Sequence, residues 1–506
     1  MNVAIVDVGS NNIKLEIHGV DNEGNNELLY ADKLPARLGH KVFLSHRLEK
    51  ENEDTAIEGL RQFAAMIKNF SCKKTIALGT AALRETKYEP FIKRVSKETG
   101  INIKVIPGKE EARLCYLGAL SHIPFNGRTF FLIDIGGGST EISISDENEM
   151  HFIESFRLGT VRLKELFGEA DYDKTRSLIE NYVSKVIEPF MPEIESFKFD
   201  MGLATGGTAK NLIEMVGQRY ELKQEQGIPL LKTEHLHEMV DIMTPMSVKD
   251  ISKIKGLDKA RADIIFPGAV LLLSLLKATG IKKSLVIGAG LRDGALSDYI
   301  YRKVNKKFYW SRQSRTRRQG LDEISKKFNV NIAHAQQCAS LSGQIFDLLQ
   351  DEHQLTPPAE DLMYASALLH DIGTYIDYSQ HHKHSYYLIS NSELLGFSSR
   401  EKQVIALIAR YHRKGLPKKS HDEYHDLEEQ DKERVSVLSA ILRIADALDR
   451  SYRNAVSEVT MLENTDETIT LGLKGKGDLE LELWSVERKK DFFEKVFKKE
   501  LILKKV

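Results

Sequence analysis

Cysteine is scarce in this chain: Cys72, Cys115 and Cys338 are the three in 506 residues, an odd number with no CxxC pair. That excludes a disulfide framework, argues against a structural zinc site and fits a reducing compartment, with the thiols buried as small hydrophobes. A charge excess is missing as well. Lys and Arg total 72 against 73 Asp and Glu, so no global field draws a polyanion, and any such attraction must be local. Long apolar runs are also absent. The richest, 266–276, contains Pro267, Gly268 and Ser274 and falls well short of the ~20 residues that cross a bilayer. It reads as a buried helix with Pro267 in its first turn. Met1 and Asn2 lead straight into VAIVDVG, without the basic and apolar regions of a signal peptide. A cytoplasmic location is expected, with neither a membrane nor a nucleic acid polymer as partner.

What is present begins with TFFLIDIGGGSTE at 129–141. Apolar residues surround Asp134, so a buried strand carries one carboxylate to its C-terminal end. Gly136, Gly137 and Gly138 follow, and without Cβ atoms their N–H groups can close on phosphate oxygens, with Ser139 and Thr140 adding hydroxyl donors. Glu141 then opens the alternating strand EISIS. The result is a hairpin gripping an anion, with Asp134 and Glu141 at its mouth, although a glycine turn between strands is also an ordinary structural device.

The N-terminal segment VAIVDVGSNNIKLEI repeats this logic with Asp7, then Gly9, Ser10 and Asn11 in the turn. Two such hairpins about 125 residues apart suggest two related α/β domains, 1–122 and 123–300, facing each other across a cleft. Gly206, Gly207 and Thr208 open a helix after the strand MGLAT and form a further anion site. Arg292 follows the strand SLVIGAG. Composition then shifts: 301–320 holds Arg302, Lys303, Lys306, Lys307, Arg312, Arg315, Arg317 and Arg318 and no acidic residue. That stretch reads as a basic linker or a polyanion-facing patch, with a solvated basic face as the plain alternative. Residues 321–453 read as helical, and 454–506 as a small α+β tail with strands that include DLELELW.

Paired Asp–turn–strand hairpins resemble the actin, sugar kinase and heat-shock ATPase fold. DVGSNN, GTAALRE (79–85), GKEEARL (108–114), DIGGGSTE, ATGGT (204–208) and GAGLRDGAL (288–296), in this order, closely resemble the exopolyphosphatase and guanosine pentaphosphate phosphohydrolase family. One departure is Asn12, where that family usually has a second serine. The resemblance implies that Glu111 is the catalytic glutamate, that Asp134 and Glu141 lie at the metal and the water, and that Arg84 lies at the phosphates. On the residues' own terms, hydrolysis of a terminal phosphoanhydride needs charge neutralisation, a metal and a carboxylate that orients or deprotonates water. Hard carboxylate oxygens favour magnesium. Glu110 reads as a helix-start charge, and Arg113 and Arg292 can equally be paired surface groups.

Nine of the 16 histidines fall within 334–425. His334, then His370-Asp371, then Asp446 follow the order H…HD…D of the HD metal-dependent phosphohydrolases, and His384 and His412 could complete a two-metal set. LHDIGT lacks the lysine of the commoner HDxGK form, which weighs against a cyclic-dinucleotide phosphodiesterase. The expectation is an actin-like phosphohydrolase followed by an all-α HD-type domain and a small tail, assembled as a homodimer. Its substrate would be inorganic polyphosphate or guanosine pentaphosphate, with magnesium and a second divalent metal as cofactors. An actin-like ATPase or kinase, an HD-domain nucleotide phosphohydrolase and a regulatory binder remain as alternatives.

Overall fold

The computed structural model describes residues 1–168, 171–304, 306–355, 359–413, 415–418 and 421–506, with backbone alone for 302–304, 306–316 and 399. The chain divides into two compact units, Met1–Arg312 and Gln313–Val506.

The first unit contains two sheets. Strands β1 (Asn2–Val8), β2 (Ile13–Val20), β3 (Asn26–Leu34), β4 (Lys74–Gly79) and β5 (Ile103–Val105) lie in the order β3-β2-β1-β4-β5. The second sheet is built from β6 (Phe130–Ile135), β7 (Thr140–Ser145), β8 (Met150–Phe156), β9 (Met201–Thr205), β10 (Gln224–Glu225), β11 (Ile228–Lys232) and β12 (Lys283–Val286). Its order is β10-β11-β12-β9-β6-β7-β8. The block β8-β7-β6-β9-β12 therefore repeats the first sheet strand for strand. Antiparallel pairs β1–β2 and β6–β7 and parallel pairs β1–β4 and β6–β9 match as well. Ile5, Val6, Phe131 and Leu132 are fully buried because sheets with parallel centres are covered on both faces.

Register sets the chemistry of each hairpin. Asp7 stands opposite Lys14 in the first, and Asp134 opposite Glu141 in the second. Opposed cross-strand residues share a face of the sheet, so the repeat places an acid–base pair in one domain and two acids in the other.

The apolar run forms the buried helix Ile265–Ala278 with Pro267 in its first turn, and no described helix is long and apolar enough to cross a membrane. Helices Gly108–His122 and Leu291–Val304 cross closely. A Cβ on Gly294 would lie 1.7 Å from the Leu114 carbonyl oxygen, and one on Gly118 would lie 2.4 Å from that of Gly290. Glycine in GAGLRDGAL thus permits a backbone contact.

In the second unit, helices Ile332–Leu348, Ala359–Leu369, His381–Asn391, Ser399–Tyr411 and Glu429–Leu448 share one core with a sheet of β13 (Val456–Asn464), β14 (Thr468–Gly475) and β15 (Glu500–Lys505). DLELELW is not a strand: Glu480–Glu487 is a helix. Leu479, Glu482 and Val486 are buried while Leu481 and Trp484 are exposed, a spacing of three and four that overrides the alternating pattern. The basic stretch runs within helices Leu291–Val304 and Lys306–Lys327, and its side chains at 302–316 lie outside the described residues. Arg317 does not face a polyanion. It is buried, 2.7 Å from Asp361, paired with Glu401 and laid over the Phe397 ring.

Candidate active site

Helix Gly108–His122 begins with two glutamates whose fates differ. Glu110 pairs with Arg113, which also holds Asp298 at 3.0 Å. Glu111 turns inward, and the residue four positions on, Cys115, shares its face. The Cys115 thiol donates to Asp134 Oδ2 at 3.0 Å, and Thr205 donates its hydroxyl to Oδ1 at 3.2 Å. Arg84, at the end of the short helix Ala81–Arg84, reaches Glu111 Oε2 with Nη1 at 2.6 Å and donates to Ser139 Oγ with Nη2 at 3.1 Å. The same Nη2 lies 3.8 Å from Glu141 Oε1, which accepts from Ser155 at 2.7 Å. Glu141 Oε2 is buried without a hydrogen-bond partner among the described residues.

Burial, and then the Glu111 charge beside it, hold the Glu141 carboxyl well above the usual range. Burial raises Glu111 too, against the pull of Arg84, and raises Asp134 against its contacts with Cys115, Lys14 and Thr205. Among these acids Glu141 is raised furthest, and Glu111 is the one in direct contact with an arginine.

The two turns meet. A Cβ on Gly137 would lie 2.9 Å from Ser10 Cβ and 3.6 Å from the Asn11 nitrogen. Around them opens a cavity of about 680 Å³, lined by Asp7, Gly9, Ser10, Asn11, Glu111, Asp134, Gly136, Gly137, Gly206, Gly207, Thr208 and Arg292 among others. Arg84, Gly138, Ser139, Thr140 and Glu141 are not among its lining residues. A Cβ on Gly138 would strike the Phe43 ring at 2.3 Å, so that glycine accommodates packing. Thr140 is buried and donates its hydroxyl to the Leu158 carbonyl at 2.6 Å, and Thr208 donates to the Ile135 carbonyl at 3.5 Å. Arg292 reaches Glu16 at 3.1 Å. Gly206 adopts φ +83°, and a Cβ there would lie 2.4 Å from Asp134 Oδ1.

Four basic residues of the wall were not anticipated: Lys14, Lys33, Lys210 and Arg261. Lys14 was legible, since it alternates with Ile13 and Leu15 and opposes Asp7. Arg261 lies against the backbone of Gly207, where a Cβ would come within 2.1 Å of Nη2. Its place depends on a loop from distant sequence, which no local pattern reveals.

The second unit gathers imidazoles around two carboxylates. Asp371 Oδ1 is 3.0 Å from His381 Nε2, 3.5 Å from His412 Nε2 and 3.6 Å from His370 Nε2, while Oδ2 is 4.0 Å from His334 Nε2. Asp446 Oδ1 is 3.6 Å from His334 Nε2, and Oδ2 is 2.6 Å from Lys489 Nζ. The Nδ1 atoms are engaged elsewhere: His334 with Asp449 at 2.7 Å, His370 with the Ala367 carbonyl at 2.7 Å, His381 with that of Tyr378 at 3.0 Å, and His412 with that of Ala409. His381, not His384, stands beside His412 in this cluster, since the helix His381–Asn391 presents its first residue there. Burial pushes the His412 imidazole down to about 3. On His334 burial acts in the same sense, but Asp446 and Asp449 outweigh it and hold the ring up to about 12. Donor atoms gather in threes or fours in this unit alone among the described residues, and none of the groups includes Asp134 or Glu141.

A duplicated sheet whose two hairpin turns meet beside buried carboxylates defines an actin-like fold around a polar cleft. The chain belongs to the Ppx/GppA phosphatase family, whose model matches residues 20–303, and the model for Ppx/GppA phosphatase, domain III, matches 316–492. It is thus a phosphoanhydride hydrolase. A guanosine-5'-triphosphate,3'-diphosphate pyrophosphatase of Photobacterium profundum is 28% identical over 442 residues, which is 85% of this chain and 84% of that protein. The solved exopolyphosphatase of Cytophaga hutchinsonii is 25% identical with a TM-score of 0.56, covering 59% of this chain and 98% of that one. A family member from Aquifex aeolicus, at 24% identity and a TM-score of 0.51, covers 60% and 98% and shares the fold.

Proposed function

We propose that the cleft of the first unit releases terminal orthophosphate from inorganic polyphosphate or guanosine pentaphosphate, with Glu111 as the base. The observation that carries this reading is the Glu111 carboxylate, held at 2.6 Å by Arg84 and lining the cavity into which both turns open. Glu111 takes a proton from water as its oxygen attacks the terminal phosphorus, and the bridging P–O bond breaks with its electron pair leaving on the shortened chain. Gly9 to Asn11 and Gly136 to Gly137 cradle the chain, while Arg261, Lys14 and Arg292 offset its charge.

Magnesium fits the donor set. Eight carboxylates line the cavity (Asp7, Glu16, Asp32, Glu111, Asp134, Glu214, Asp258, Asp293) against five basic groups (Lys14, Lys33, Lys210, Arg261, Arg292), so a polyanion enters with cations of its own. When bound, the metal supplies charge neutralisation at the reacting phosphate, and Asp134 with Asp7 would hold it. Glu141, buried behind Arg84, positions that arginine.

The second unit we read as HD-type, with His334, His370, Asp371 and Asp446 holding a second divalent metal. The buried His370 Nε2, which makes no hydrogen bond among the described residues, supports this, as do the Nδ1 contacts that engage the other ring nitrogens of His334 and His370. Phosphate release measured side by side on long polyphosphate, guanosine pentaphosphate and ATP tests the assignment. Fast release from either of the first two with slow ATP turnover is expected. ATP as the preferred substrate would instead make the cleft that of an ATPase or kinase.

A further inference from the structure

Cys338 was expected to behave as a small buried hydrophobe, yet it sits one helical turn after His334 with Sγ 3.6 Å from His334 Nε2. His334 Nε2 is 3.6 Å from Asp446 Oδ1, and His370 Nε2 is 3.9 Å from that oxygen. All four donor atoms fall within 4.8 Å of one another. An ion bound tetrahedrally at the usual zinc–sulfur, zinc–nitrogen and zinc–oxygen lengths separates its ligands by about 3.3–3.8 Å, so these spacings are close to those of a closed four-ligand shell. His370 is fully buried and its Nε2, aimed into the group, is without a hydrogen bond among the described residues.

We propose that His334, Cys338, His370 and Asp446 form a site for a thiophilic divalent transition metal, zinc or ferrous iron, with Cys338 as a thiolate ligand. The inference rests on the reading that this unit binds a divalent metal; it adds which metal, and it completes the shell with Cys338 in place of Asp371, which stands beside the group against His370 and His381. A soft sulfur donor selects against magnesium, which takes oxygen ligands and gives up water reluctantly. Metal binding supplies the driving force that removes the thiol proton to solvent. Surrounding groups are arranged for this. Asp449 accepts from His334 Nδ1, the Ala367 carbonyl accepts from His370 Nδ1, and Lys489 takes the outer oxygen of Asp446 and leaves Oδ1 to the ion. Tyr452 stacks on the His334 ring at 4.1 Å. The partly exposed carboxylate of Asp371, at 18%, marks the way in.

Cobalt(II) makes the thiolate visible. The full-length protein, stripped with chelator and reloaded with cobalt, should show thiolate-to-cobalt charge-transfer absorption in the near ultraviolet, resistant to millimolar magnesium and displaced by zinc. Cys338→Ser should lose that absorption while still binding cobalt more weakly, and His381→Ala, outside the four-ligand group, should keep it. Cobalt bound without the charge-transfer band, or displaced by magnesium, overturns the cysteine ligand and leaves the divalent site standing. Failure of the wild-type protein to retain any cobalt or zinc overturns both. The band in the wild-type protein decides the matter even if Cys338→Ser does not fold.

Discussion

Arg84 Nη1 and Glu111 Oε2 stand 2.6 Å apart, although 27 residues separate them in the chain and each comes from the first or last turn of a different helix. The contact joins the proposed base to the arginine that holds it. Glu111→Gln preserves the shape of the side chain and removes its charge. Phosphate release should fall by about two to four orders of magnitude, as for loss of a positioned base, with substrate binding retained. Equilibrium binding of polyphosphate beside steady-state turnover separates these effects, and near-native turnover would remove Glu111 from the reaction.

The pH dependence follows from the same pair. Burial raises the Glu111 carboxyl and Arg84 lowers it, and the proposed role as base requires the carboxylate. Activity should therefore rise with pH along an acid limb above the ordinary glutamate value. Arg84→Met removes the lowering influence and should move that limb of kcat/KM to still higher pH. A shift to lower pH would contradict the assignment of Glu111 as base.

Arg261 presents the plainest test of the wall. Its guanidinium is packed on Gly207 and lines the cavity, and no ion pair within 4 Å is formed by it among the described residues. Arg261→Ala should raise KM by about tenfold or more, since a charge-assisted hydrogen bond contributes about 1.5–3 kcal/mol. The fold should be unaffected, so an unchanged melting temperature with an unchanged KM would exclude the residue from substrate binding.

The hairpins, the duplicated domains and the Asp134–Glu141 pairing were legible because strand alternation and glycine turns are local signals. Glu111 came from its motif. The Arg84 contact, Arg261 and the choice of His381 over His384 were not legible in that way. Each depends on which loop or helix face a distant segment presents, and a shift of one helical turn changes the answer without altering the sequence pattern. DLELELW misled for the reverse reason: its alternation of Leu and Glu satisfies a strand, while burial of Leu479, Glu482 and Val486 selects a helix.

Gly294 tests the close helix crossing. A Cβ there would overlap the Leu114 carbonyl oxygen at 1.7 Å, and the contact is backbone to backbone, so neither side can turn away. Gly294→Ala should destabilise the first unit by about 1–3 kcal/mol or more. Because Leu114 lies between Glu111 and Cys115 on the helix that carries the proposed base, turnover should fall as well. Denaturant unfolding followed from the first unit checks the stability, and an unchanged midpoint would mean the helices are further apart than described.

Asp371 separates the two units functionally. Its carboxylate lies within 4.0 Å of four histidines, so Asp371→Ala removes the group on which His381 and His412 converge. Metal content and the chelator-sensitive part of the thermal melt should both drop, because a ligand that binds only the folded state stabilises it in proportion to its affinity. Phosphate release should remain largely intact, since Glu111, Arg84 and Asp134 belong to the first unit and form their contacts there. Elemental analysis, the melt with and without chelator, and the phosphate assay on one preparation give all three readings. Complete loss of phosphate release with the fold intact would move the reaction to the second unit.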